Sequence, residues 1–166
     1  MLIRQLVPAD LDLFRALRLA GLRECPAAFA ASLEEEAELP PGQMGEWLQA
    51  GPHGWILGAF DGDALVGVVG LGRERMRKLQ HKAVVWGMYV AASHRRRGVA
   101  LALLQSLKQQ AAGMAGLRQL NLGVHTRNAP ALALYAALGF TVYGTETHCM
   151  QVDGAWHDEY LMACTL

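Results

Sequence analysis

The segment from Ala83 to Val124 constrains the fold more than any other. Ala83-Val84-Val85-Trp86-Gly87-Met88-Tyr89-Val90 is an apolar run of strand length. The basic turn Arg95-Arg96-Arg97-Gly98 follows, and residues 98–112 carry apolar side chains at helical spacing. Val99, Leu103, Leu104, Leu107 and Ala111 share one face, with Gln105, Lys108, Gln109 and Gln110 on another. Gly113 and Gly116 end the helix, and Leu117 to Val124 forms a second strand. A strand joined through a helix to another strand needs a crossover. Strands 83–90 and 117–124 are therefore expected to be parallel and connected right-handedly.

The turn inside this unit has its own chemistry. The first backbone N–H groups of a helix lack intrahelical partners and carry partial positive charge. A glycine-containing basic turn that enters a helix is thus suited to an anion such as a phosphate. Gly98 removes the Cβ that would block close approach, and Ala100 is the next smallest choice.

The remaining chain supplies a sheet around that unit. Leu2 to Val7 is a first strand ended by Pro8, and Asp10 is a candidate N-cap for a helix carrying Leu13, Phe14, Leu17 and Ala20. Pro26 interrupts that helix, and a second helical patch covers 27–38 before Pro40-Pro41-Gly42, with a short helix at 43–49. Trp55 to Phe60, the Asp61-Gly62-Asp63 turn and Ala64 to Leu71 form a hairpin. Asn128 to Leu138 is a helix, with Pro130 tolerated in its first turn and Gly139 as its stop. Phe140 to Tyr143 and Glu159 to Thr165 are expected as two closing strands. The order predicts a mixed α/β sheet with helices on its faces.

Composition narrows the partners. The 166 residues suit one domain, 1–166, and no linker or repeat divides them. Fifteen Lys and Arg balance fifteen Asp and Glu, so no global field favours nucleic acid or a membrane surface. Charge is local: Glu34-Glu35-Glu36 with Glu38, a basic stretch over 73–82, and Arg95 to Arg97. The first two runs are expected to be solvated faces. Three cysteines without a CxxC spacing, and histidines without an HxxxH or HExxH pattern, predict neither a disulfide framework nor a metal site. The start lacks a long apolar stretch and no run approaches ~18 apolar residues, so the expectation is a cytoplasmic protein.

A P-loop is excluded, because no GxxxxGK[ST] occurs, and no GxGxxG follows the first strand. A second cluster identifies the turn. Asn128-x-x-Ala-x-x-Leu-Tyr135-x-x-Leu-Gly139-Phe140 follows Val90, Arg95, Gly98 and Ala100. Together these segments closely resemble the GNAT superfamily of acyl-CoA-dependent N-acetyltransferases. The resemblance spans residues 2–165 in element order and is most specific over 83–143. It implies a mostly antiparallel central sheet of six to seven strands. Strands 83–90 and 117–124 form its parallel, splayed pair, and helices cover both faces. It also implies acetyl-CoA as co-substrate, with no metal, and a primary amine as acceptor.

By the same resemblance, Arg95, Arg96, Arg97, Gly98, Val99, Ala100 and Leu101 hold the CoA pyrophosphate through backbone amides. Met88, Tyr89 and Val90 pair with the pantetheine arm, and their amides polarise the thioester carbonyl. Asn128 contacts the cofactor. Tyr135 contacts it too, as the general acid that protonates the departing thiolate. A tyrosine at pKa ~10 and a thiol at ~8.5 make that transfer slightly uphill in water and feasible in a dry, aligned site.

The pattern supplies no general base. Strand 83–90 offers Val, Trp, Gly, Met and Tyr where some relatives carry Glu. Amino-terminal acetyltransferases of the family often carry Glu at the position of Gly123, which argues against a protein N-terminus as acceptor. His125 titrates in the right range and is the candidate base, with an ordered-water relay as the alternative. The acceptor pocket is expected from Phe29, Glu34, Glu35, Trp55, Tyr89 and His157-Asp158-Glu159-Tyr160. Acidic and aromatic groups suit a cationic amine. A small-molecule amine is the expected acceptor, with a protein or peptide amine, or acyl-CoA binding without turnover, as alternatives. A monomer or homodimer is expected.

Overall fold

The computed structural model describes residues 1–166, the side chain of Pro41 excepted. Seven strands form one sheet: β1 (Leu2–Gln5), β2 (Gly54–Asp61), β3 (Ala64–Arg73), β4 (Lys82–Val90), β5 (Gln119–His125), β6 (Thr141–Val152) and β7 (Ala155–Thr165). Their spatial order is β1-β2-β3-β4-β5-β7-β6. Every neighbouring pair is antiparallel except β4 with β5, which is parallel as the crossover requires.

Alternation along the strands sends side chains to two cores. Helices α4 (Val99–Ala112) and α5 (Ala129–Ala137) cover one face, where Leu103, Leu104 and Leu107 pack with Leu120, Leu122, Val124, Tyr135 and Phe140. The apolar stripe of α4 is the buried one, as its spacing predicts. Helices α1 (Leu11–Glu24), α2 (Leu33–Ala37) and α3 (Pro41–Glu46) lie over the other face. There Phe14, Leu17 and Leu22 pack with Ile56, Val68 and Tyr89. Among the described residues, no helix is long and apolar enough to cross a membrane.

Three local expectations are corrected. Residues 27–38 do not form one helix. Pro26–Ala28 is a single 3-10 turn, and α2 starts only at Leu33 because Ser32 caps it. Ser32 Oγ accepts the Glu35 N–H at 3.1 Å and the Glu35 carboxylate accepts the Ser32 N–H at 2.9 Å. Asp10 is not the side-chain cap of α1; its carboxylate accepts the Val7 N–H at 2.8 Å and both terminal nitrogens of Arg4 at 2.7 Å. The closing strands are much longer than 140–143 and 159–165, and join through Asp153-Gly154 at φ 49° and 79°. That is the left-handed pair a two-residue hairpin turn demands.

Candidate active site

The parallel pairing of β4 and β5 is short. It holds at Lys82 with Gln119, Ala83 with Leu120 and Val84 with Asn121, and then the strands part. Among the described residues, the β5-facing edge of β4 has no strand partner from Val85 onward. Where the gap opens, β4 bulges: Trp86 faces Gly70 and Tyr89 faces Val68, leaving one extra residue in β4. Gly87 takes φ 63°, the left-handed conformation such a bulge uses. Ala91 N–H bonds Val66 in β3 at 2.9 Å. By alternation, the N–H and C=O of Val90 turn into the gap. Arg95 Nε takes that carbonyl at 2.9 Å, which leaves the amide.

The turn beyond is shaped for an anion. Gly98 is the N-cap of α4 at φ 79°, and a Cβ there meets nothing within 4 Å, so the space in front of it is open. Arg96 is also left-handed, at φ 59°. The first amide of the helix to be used is Ala102 N–H, which donates to Gly98 O at 3.0 Å. Among the described residues, the N–H groups of Arg96, Arg97, Gly98, Val99, Ala100 and Leu101 find no acceptor. Successive amides around left-handed residues at a helix start form a concave anion cradle. Arg96 and Arg97 are exposed. Arg95 has a different job: its terminal nitrogens grip Glu24 at 2.7 and 2.9 Å and its guanidinium lies 5.5 Å from the Tyr89 ring centre.

The expected contacts of β4 divide by face. Met88 packs against the α4 and α5 core and Tyr89 against α1. The Tyr89 hydroxyl donates to Glu24 at 2.5 Å, and burial and that carboxylate raise its pKa to about 12. Its side chain thereby belongs to the joint between α1 and the turn.

Tyr135 is buried on α5, edge-on to Phe140 with ring centres 5.7 Å apart. Its hydroxyl bonds nothing among the described residues, and burial alone raises its pKa to about 12. The group therefore stays protonated throughout the neutral range. Asn128 caps α5, its Oδ1 accepting the Ala131 N–H at 3.3 Å, so its amide NH2 is left for a ligand.

The opposite face holds a titratable cluster. Leu120, Leu122 and Val124 point to the α4 and α5 core, so Gly123 and His125 face the α1 side. His125 Nδ1 accepts the Arg127 N–H at 3.2 Å, which puts the ring proton on Nε2, 2.8 Å from His157 Nδ1. Burial, then His157 and Arg127, lower the His125 pKa. Both ring nitrogens are thus committed and the ring is neutral. Glu159 sits opposite His125 in the register, half-buried. Burial and then Glu146 push its carboxyl up.

A cavity of about 530 Å³ opens on this side between the α1–α2 connection and the β6–β7 hairpin. Leu22, Arg23, Phe29, Glu34, Met150 and Asp153 contribute to its walls. Trp55, expected there, lies instead among the residues of the α4 and α5 core. Tyr160 also packs towards that core. Glu36, expected on a solvated face, is buried against Arg18.

The family model described as "Acetyltransferase (GNAT) family" matches residues 20–140. The chain belongs to the GNAT acetyltransferase family. It is 32% identical over 148 residues to "N-alpha-acetyltransferase RimI" of Mycobacterium tuberculosis, covering 89% of this chain and 88% of that one. It is 29% identical over 108 residues to "L-amino acid N-acetyltransferase AaaT" of Escherichia coli, 65% of each chain. Among solved structures it superposes with TM-score 0.87 and 21% identity on yncA, a putative acetyltransferase of Salmonella typhimurium with its cofactor acetyl-CoA, covering 100% of this chain and 94% of that one.

This GNAT enzyme fits a CoA thioester by its own geometry: an open anion cradle, then a strand gap with an exposed edge. Sequence reasoning missed the Arg95–Glu24–Tyr89 joint and the buried Arg18–Glu36 pair, because both need the packing of α1 against β4 and α2. It also missed the hairpin, although Asp153-Gly154 was a legible turn signal.

Proposed function

We propose that the protein transfers the acetyl group of acetyl-CoA to a primary amine by direct attack in a ternary complex, the acceptor being a small molecule. The observation that carries this is the β4–β5 gap leading into the unpaired amides of residues 96–101. Those amides would hold the pyrophosphate, and the Val90 amide in the gap would pair with the pantetheine arm. Tyr135 would protonate the leaving sulfur, and Asn128 would steady the arm from the start of α5.

Support for a small acceptor comes from the cavity beside Phe29, whose volume of about 530 Å³ lies in the range of small-ligand sites. Arg23, Glu34 and Asp153 give it charges of both signs, which suits an amine that also carries an acid. The second reading is a protein or peptide amine, and the identity to RimI supports it.

The test is purified protein with acetyl-CoA and a panel of amines, amino acids and short peptides, read by thiol release and product mass spectrometry. Acetylated small amines are expected. CoA binding with no product from any amine overturns the reading, and products from peptides alone move it to the second.

A further inference from the structure

On β5, Gly123 leaves its backbone bare on the α1 side, the second residue past the last β4–β5 pair. That bare spot is covered from the neighbouring strand. A Cβ at Gly123 would come within 2.5 Å of Glu159 Oε2 and 3.1 Å of Glu159 Cδ. The carboxylate of β7 therefore lies over the backbone of β5 at the mouth of the gap. Among the described residues it accepts no hydrogen bond and forms no ion pair, although it is half-buried. A desolvated, unpartnered carboxylate costs free energy unless something cationic or protonated comes to it.

We propose that Glu159 is the general base of the reaction, reaching the acceptor amine from β7 across Gly123; the inference rests on the amine acetylation proposed above. Glu159 and Tyr135 stand on opposite faces of the sheet, with the gap between them. Base and acid are thus separated by the thioester they serve and cannot exchange a proton directly. The β6 segment opposite Glu159 leads to the acceptor cavity: Glu146 pairs with Glu159 in the register, and Cys149 and Met150 further along β6 line that cavity. Burial, then Glu159, Glu146 and Asp158, raise the Cys149 thiol.

The protons balance. Glu159 removes one proton from the acceptor ammonium, and the freed lone pair forms the N–C bond to the thioester carbonyl carbon. The C–S bond breaks with its electron pair on sulfur, which takes the Tyr135 proton. The nitrogen loses its second proton to solvent, Glu159 gives up to solvent the proton it took, and Tyr135 regains one, so one proton is released overall, both groups return to their starting states, and nothing is oxidised or reduced.

The titratable groups around Glu159 are His125 from β5, Glu146 and Cys149 from β6, and His157 and Asp158 along β7. The turn Pro26–Ala28, which rests on β5 and β6, brings no charge. Burial and Glu146 both favour the protonated form, which moves the base towards neutrality, where a general base works best.

The experiment compares wild type and Glu159→Gln on an amine that the wild type acetylates, with CoA affinity measured calorimetrically. Expected for Glu159→Gln is a fall in kcat of about 10²-fold or more at pH 7, with unchanged CoA affinity. The acidic limb set by the carboxylate disappears, and the deficit narrows as pH rises towards the pKa of the amine. Wild-type kcat with the acidic limb intact in Glu159→Gln overturns the proposal, as does a deficit equal at every pH. If Glu159→Gln also loses CoA binding, Gly123→Ala decides, since its Cβ displaces the carboxylate without removing it. The same pH-dependent deficit supports the proposal and an unchanged kcat overturns it. A wild type that acetylates no amine fails the previous reading and takes this one with it.

Discussion

Arg95 and Glu24 form a two-pronged ion pair, 2.7 and 2.9 Å, that ties the last residue of α1 to the turn before α4. Glu24 also accepts the Tyr89 hydroxyl, and that bond and then Arg95 hold its carboxyl below the usual range. The first arginine of the turn is therefore a strut for the cradle, with its charge already matched.

That strut predicts a pH-dependent stability difference. A depressed carboxyl contributes stability above its unfolded pKa and loses it as pH falls through the folded value. Glu24→Gln should lower Tm slightly at pH 7 and weaken CoA binding several-fold. The Tm difference from wild type should vanish as pH drops below the ordinary carboxylate range, about 4. Parallel melting curves from pH 3 to 8 check it; a difference that is constant over that span contradicts the role.

Within the turn, the amides should matter more than the arginines. Gly98→Val forces a β-branched residue into φ 79° and places carbon in the open space a phosphate would use. A left-handed non-glycine residue costs about 1–3 kcal/mol, so CoA affinity should fall about tenfold or more. Arg96→Gly keeps the left-handed backbone at φ 59° and removes only exposed charge, so affinity should fall far less. Calorimetric titration with CoA ranks the two, and the reverse order refutes an amide cradle.

The contrast between these residues shows what a sequence can hold. The β4–α4–β5 unit was legible because strand length, helical period and the Gly98 and Asn128–Tyr135 signatures are local. Glu159 was legible as an acceptor-pocket residue, but its placement over Gly123 was not, because that depends on the β5–β7 register and on a hairpin whose polar strand β6 has little apolar alternation. His125 looked like a base by its intrinsic titration alone. Only the positions of the Arg127 amide and His157 show that its lone pair is occupied.

Tyr135→Phe should separate chemistry from binding. The hydroxyl bonds nothing among the described residues, so its loss should leave Tm nearly unchanged, and the retained ring should keep most of the CoA affinity. As the proton donor to sulfur it should be worth about 10²–10⁴-fold in kcat. With its pKa raised to about 12, the wild type should show no loss of rate from tyrosine ionisation up to about pH 10. A basic limb that lies near pH 8–9 in wild type and is absent from Tyr135→Phe would contradict that protonation state.

The Arg18–Glu36 pair should govern stability. Arg18 Nε and Nη2 reach the Glu36 carboxylate at 2.9 and 2.6 Å, and the two side chains are only 7% and 4% exposed. The guanidinium also lies 4.7 Å from the Phe29 ring centre, while its Nη1 has no partner among the described residues. Glu36→Ala leaves a buried cation with one fewer anchor, which costs about 3–5 kcal/mol. For a chain of this length that is a fall in Tm of roughly 6–20 °C. Replacing both partners at once, Arg18→Met with Glu36→Leu, removes the two charges together and fills the space with apolar atoms. That double variant should recover most of the lost Tm, because an apolar pair of similar volume avoids the desolvation cost. Calorimetry of the single and double variants checks it. A double variant as unstable as Glu36→Ala would mean that the ion pair contributes geometry that apolar packing cannot replace.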